Sequence, residues 1–204
     1  MTVTPAPLRH TGSPGRSAAT WRTRLLGAVI RATFGASAAE LKDHLDSGRL
    51  QRGLDDLAEV TGHAAPQLGS PAHSELEATR VSLFHANPAG LPAPPYAGLA
   101  IDGEILGPAV TRLESLLAAH GYESPAGWTE LPDHLAAIGA VLAADACPAS
   151  LARRLEEEYL RPWLDRYAGR VAAVDETGVF TAITGFLARI VKGATREDER
   201  APQA

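Results

Sequence analysis

The chain has 204 residues, an apolar fraction of 45% drawn largely from Ala and Leu, an aromatic share of only 5%, and a formal charge of −5. That length suits one domain with a sizeable core, and the Ala and Leu bias favours helices over strands, which want β-branched and aromatic side chains. The acidic balance argues against nucleic acid as a partner and for a basic peptide, while the lone Cys147 excludes an intramolecular disulfide and a cysteine-rich metal site.

Residues 1–20 are rich in Pro, Thr, Ser, Gly and Arg without an apolar period, which predicts a disordered tail. A helical domain is expected over 21–192, followed by a frayed charged tail over 193–204. Trp21, Leu25, Val29, Ile30 and Phe34 recur at helical spacing with arginines opposite. That pattern marks a core-facing helix, with a surface-seeking amphipathic helix as the alternative. The apolar stretch Leu25 to Ile30 falls short of the roughly seven to fifteen residues of a signal-peptide core. No run approaches the roughly 18 apolar residues of a membrane span, so a cytoplasmic protein without stable membrane insertion is expected. Ser37 with Glu40 is a capping box that opens a second helix, running to about Ser47. Leu50, Leu54 and Leu57 give a third, and Ser70-Pro71 opens a fourth that carries Leu76, Arg80, Leu83 and Phe84.

Asn87 to Pro108 holds five prolines and four glycines, which no helix interior tolerates. Its Leu91, Tyr96, Leu99, Ile101 and Ile105 want burial, so the spacing predicts a long loop laid against the body. Pro108 to His120 forms the next helix, stopped by Gly121, with Val110, Leu113, Leu116 and Leu117 inward. Pro132 is expected to start another, carrying Leu135, Ile138, Val141 and Leu142. Pro148 opens a further helix through Leu151, Leu155 and Tyr159, kinked or divided at Pro162. The last helix is expected over Val179 to Val191. The fold class is therefore all-α, a single-domain helical bundle with one long Pro/Gly-rich loop.

The chain lacks a glycine-rich phosphate loop, a G-x-S-x-G elbow, and a histidine pair at helical spacing beside a carboxylate. Its one polar cluster of interest is Glu130-Leu131-Pro132-Asp133-His134, at the mouth of an otherwise apolar helix. Asp133 is expected in the first helical turn, where the dipole and free amides favour a carboxylate, so a helix-start role is its plainer reading. His134 fits a general base, a metal ligand or a hydrogen-bonded surface histidine, the last being commonest. Glu156, Glu157 and Glu158 read as a solvated helix face. Tyr159, Trp163 and Tyr167, every fourth residue, read as a core stripe first and a recognition groove second. Cys147 has no basic neighbour in sequence to activate it.

Leu83-Phe84, then Leu91-Pro92-Ala93-Pro94-Pro95-Tyr96, then Asp102-Gly103 and Leu106-Gly107-Pro108 resemble, in order, a stretch of the TorD-like chaperones. That family includes the DmsD- and NarJ-type proteins, and its stretch reads L-F, P-x-P-P-Y-E-S, D-G, L-G-P. Pro132-Asp133-His134-Leu135 is similar to the family's E-P-D-H motif, and Leu160-Arg161-Pro162-Trp163-Leu164 to its H-L-x-P-W-L segment. The chain departs from the pattern at Arg80, where an aromatic often stands, at Ala97 in place of a glutamate, and at Ile138 in place of an acidic residue.

The resemblance implies a helical chaperone rather than an enzyme, acting as monomer or dimer with no cofactor or metal of its own. Its expected partners are the twin-arginine signal peptide and the apo catalytic subunit of a molybdopterin oxidoreductase of the dimethyl sulfoxide reductase family, held until the cofactor is inserted before export. It places Asp133 and His134 in signal-peptide binding, with Glu130 displaced by the inserted Leu131. A twin-arginine leader offers two guanidinium groups and an apolar stretch, so its receptor wants carboxylates beside an apolar groove. Asp133, with Glu130 and Pro132 beside it, would serve the first, and Leu83, Phe84, Tyr96 and Trp163 the second. The alternative is a helical metal-dependent hydrolase using Asp133 and His134; a structural subunit of the enzyme complex is a third reading.

Overall fold

The computed structural model describes residues 9–10, 21–84, 92–123 and 131–198. Helix α1 (Trp21–Phe34) turns Leu25, Leu26, Val29, Ile30 and Phe34 into the core, since residues one turn apart share a helix face. Trp21, expected among them, is 58% exposed. It opens the helix at its outer end, where its ring lies against the Arg24 guanidinium instead of the body.

Helix α2 (Ala38–Asp46) starts on the expected capping box, with Ser37 Oγ accepting from the Glu40 amide at 3.2 Å and Glu40 Oε2 accepting from the Ser37 amide at 2.8 Å. Helix α3 (Arg49–Thr61) buries Leu50, Leu54 and Leu57. Helix α4 (His73–Phe84) begins two residues beyond Pro71, because Glu75 accepts from the Ala72 amide at 2.6 Å and fixes the helix start there.

The Pro/Gly-rich segment lies against the body as expected, and it contains one short helix, α5 (Ala97–Asp102), before α6 (Pro108–Ala119). Ile105, expected to pack, is 47% exposed beside the 74% exposed Leu106. The Asp102 carboxylate accepts from the Ala109 amide and closes this turn, leaving both apolar residues at its tip. Helix α7 (Leu135–Ala143) follows, then α8 (Ala149–Arg154), which runs directly into a π-helical turn (Leu155–Leu160). Pro162 divides this unit from α9 (Leu164–Ala172), as its missing donor requires. Helix α10 (Val179–Asp198) continues past Val191, where its end was expected.

Helix α1 packs most extensively on α7, with α3 and α10 also against it, and α9 lies on α10. At the α1–α7 crossing a Cβ on Gly27 would stand 2.5 Å from the Ala143 nitrogen and 2.6 Å from the Gly139 oxygen, and one on Gly139 would stand 2.7 Å from Ile30 Cγ2. The two backbones therefore touch, which only glycine at both positions allows.

The expectation of a solvated acidic face holds for Glu157 and Glu158 but not for Glu156, which is 6% exposed. The π turn widens the helix and shifts the register of its side chains, bringing Glu156 inward beside Leu155. There it accepts from Arg22 Nη1 at 2.7 and 3.0 Å and from Thr23 Oγ1 at 3.1 Å. Arg22 thus leaves the solvent face assigned to the arginines of α1. Within the N-terminal segment expected to be disordered, Arg9–His10 (β1) pairs antiparallel with Tyr122–Glu123 (β2), a two-residue ladder in an otherwise helical fold. Among the described residues, no helix is long and apolar enough to cross a membrane.

Candidate functional site

The two segments singled out by motif meet in space. The Leu135 amide donates to the Pro95 carbonyl at 2.8 Å and the Ala97 amide to the Asp133 carbonyl at 3.0 Å. These bonds flank an isolated antiparallel bridge between Tyr96 and His134. Prolines supply this geometry: Pro94 and Pro95, both buried, keep the chain extended up to Tyr96.

Asp133 is fully buried and precedes α7 instead of sitting in its first turn. Its Oδ2 accepts from the Gly98 amide at 2.8 Å, while Oδ1 has no hydrogen-bond partner among the described residues. Burial pushes its carboxyl above the usual carboxylate range, with the Gly98 bond opposing that rise. Gly98 is required for this approach, since a Cβ there would lie 2.9 Å from Asp133 Oδ2 and 2.6 Å from Val110 Cγ2.

His134 is the N-cap of α7, its Nδ1 accepting from the Ala136 amide at 3.0 Å. In the neutral ring the proton is then on Nε2. The ring stands edge-on to Tyr96, with centroids 5.1 Å apart at 75°. Both rings are half-buried, whereas Pro132 and Asp133 are buried. Among the described candidates around the bridge, this ring pair is the accessible part.

The remaining candidates lie deeper. Leu83 is fully buried, and its carbonyl accepts from the Ala93 amide at 3.2 Å. Phe84 is half-buried between Phe34 and Phe180, with ring centroids 6.0 and 5.4 Å away. Trp163 is 2% exposed, donates Nε1–H to the Tyr159 carbonyl at 2.6 Å and packs edge-on against Tyr167 at 4.9 Å. The aromatic stripe is therefore core, and Trp163 lines no groove. Glu130 lies outside the described residues. Sequence reasoning missed the residues that hold the Pro-rich segment from the other side: Tyr167 OH donates to the Ala93 carbonyl at 3.2 Å and Arg170 to the Pro92 carbonyl at 2.7 Å. The four-residue aromatic period pointed to Tyr167, but nothing in the pattern tied it to Ala93.

Neither polar group is arranged for hydrolysis. Asp133 holds a backbone amide, His134 Nδ1 holds another, and among the described residues no three His, Cys, Asp or Glu side chains converge to bind a metal. Burial pushes the Cys147 thiol up to about 11, far from a reactive thiolate.

The fold is a helical scaffold in which the two motif segments meet at the Tyr96–His134 bridge. The chain belongs to the nitrate reductase delta subunit family, whose model matches residues 30–169; these are the NarJ/TorD-like chaperones. It is accordingly a redox enzyme maturation chaperone and not a catalyst. The fold is similar to that of a crystallised protein from Archaeoglobus fulgidus described as a proposed redox enzyme maturation protein. The TM-score is 0.55 at 17% identity, over 90% of this chain and 99% of that one. No curated protein matches the chain.

Proposed function

We propose that this chain binds the twin-arginine leader and the apo catalytic subunit of a molybdopterin oxidoreductase of the dimethyl sulfoxide reductase family, in the cytoplasm, until the cofactor is inserted. The observation that supports this best is the Tyr96–His134 bridge, which joins the two motif segments and leaves their rings reachable. The leader's apolar stretch lies along these rings. Asp133 acts as a positioning residue, holding Gly98 and placing negative potential under the rings where the guanidinium groups arrive. Pro132, Leu83 and Phe84 support the platform from within, and Glu130 contributes a further carboxylate to the leader's arginines.

Calorimetric titration with a synthetic twin-arginine leader tests the site. Tyr96→Ala and His134→Asn are expected to weaken binding about tenfold, roughly 1.4 kcal/mol, and asparagine keeps an N-cap acceptor so that melting stays near wild type. Affinities equal to wild type would remove both rings from the site, and a wild type that ignores the leader would end the leader reading.

A further inference from the structure

We propose that the turn between α5 and α6 is a second foothold for the leader, where Ile105 and Leu106 take its apolar stretch as it leaves the Tyr96–His134 rings. This rests on the leader reading and extends it to two residues outside the candidate site. Among the described residues five large apolar side chains are exposed, and Ile105 at 47% and Leu106 at 74% are the two that adjoin in sequence. A single exposed apolar side chain is ordinary on a protein surface. Two side by side on a braced turn are not. Asp102 Oδ2 accepts from the Ala109 amide, and Oδ1 stands 3.8 Å from Arg112 Nη2. Gly103 closes α5 at a φ of 81°, which side chains rarely adopt. A Cβ on Gly107 would stand 2.8 Å from Asp102 Oδ2. The turn is thus fixed by its backbone and by Asp102, and it holds Ile105 and Leu106 outward.

Position identifies the occupant. Tyr96 is the N-cap of α5 and the turn follows its last residue, so rings and tip stand at the two ends of one short helix, about 9 Å long. An extended peptide advances about 3.3 Å per residue, so roughly three to five leader residues separate contact with the rings from contact with the tip. Leu99, Ala100 and Ile101, all half-buried, keep the intervening helix apolar. A leader that brings its guanidinium groups to the Asp133 end has its apolar stretch free to reach Leu106. Charge favours this peptide over a bilayer. From Asp102 to Arg112 the charged residues are Asp102, Glu104 and Arg112, two carboxylates against one guanidinium, and Glu104 is exposed beside Ile105. Apolar side chains that enter a bilayer surface are accompanied by Lys and Arg, whereas carboxylates beside them suit a basic peptide.

The test is calorimetric titration of the full chain with two synthetic peptides: a twin-arginine leader, and the same leader with the apolar residues farther from its arginines replaced by Ser. Ile105→Ser/Leu106→Ser is expected to raise the dissociation constant of the first about tenfold and to leave that of the second unchanged. Val60→Ser, at a similarly exposed apolar position on α3, should change neither, and each variant should melt near wild type. Equal affinities of wild type and double variant for the first peptide would overturn the proposal and leave the ring site standing, and an equal loss from Val60→Ser would overturn it too. Sedimentation showing a dimer that the double substitution disperses would give the tip to a second copy of the chain. Binding to phosphatidylglycerol vesicles that the double substitution abolishes would give it to a bilayer, and either result overturns the proposal. A wild type that ignores the leader would overturn this inference together with the leader reading.

Discussion

Asp133 keeps one oxygen on the Gly98 amide and the other without a hydrogen-bond partner among the described residues, inside the body. The ionised form is the one that burial disfavours, so its folded pKa lies above the ordinary aspartate value of 3.8. Between those two values the folded chain holds a proton that the unfolded chain has released. The associated stability is fully present below about pH 4 and is lost as pH rises through the raised folded value. Asp133→Asn keeps an oxygen for Gly98 and removes the titration. The variant is therefore expected to gain stability over wild type as pH rises from 4 to 7, measured as the difference between their urea-unfolding free energies. A constant difference across that range would show that the carboxyl titrates alike in both states. This burial also moves the residue from direct pairing with a leader arginine, the role its motif suggests, to one exerted through Gly98 and the rings above.

At the scale of elements, the π turn decides which acidic side chain of Leu155–Leu160 goes inward. Glu156 sits with its side chain 7% exposed and its partner Arg22 20% exposed, tying α1 to the segment between α8 and α9. Removing one member of a buried ion pair strands the other, at about 3–5 kcal/mol for full burial. Arg22 can turn toward water when Glu156 is lost, but Glu156 has no such exit. Arg22→Met is therefore expected to cost about 3 kcal/mol and Glu156→Gln less, while Arg22→Met/Glu156→Leu recovers part of the loss. Urea unfolding of the three variants checks the order, and a double variant worse than both singles would contradict it. This pair was not legible in the sequence: a run of three glutamates resembles any solvated face, and a π turn has no period to betray it. The α1–α7 crossing was equally hidden, since Gly27 and Gly139 acquire meaning only from the backbone each meets.

Across the whole molecule, apolar period marked the inward faces of α1, α3, α6 and α7 because a face is a local property. It does not report depth, so the peptide-binding role that the resemblance implies for Asp133 and Trp163 falls on two buried side chains, as the core reading of the aromatic stripe expects for Trp163. The motif order did pair the Pro-Pro-Tyr and Pro-Asp-His segments, which lie about 38 residues apart in sequence by position and meet at the Tyr96–His134 bridge. The least helical contact, β1 with β2, supports a prediction for the complete chain. Two paired residues gain about 0.5–1.5 kcal/mol per hydrogen bond and lose about 1–2 kcal/mol per ordered residue, so the ladder is close to neutral. Deleting residues 1–20 also removes Arg9 and Arg16 and no acidic residue, which changes the formal charge from −5 to −7 and adds self-repulsion that salt screens. At this chain length 1 kcal/mol moves the midpoint by roughly 2–4 °C. The truncated chain is therefore expected to melt within about 3 °C of the full one, with the gap closing as salt is added. Thermal unfolding followed by circular dichroism at low and high salt measures it. A larger drop that ignores salt would show that the segment carrying β1 is part of the packed fold.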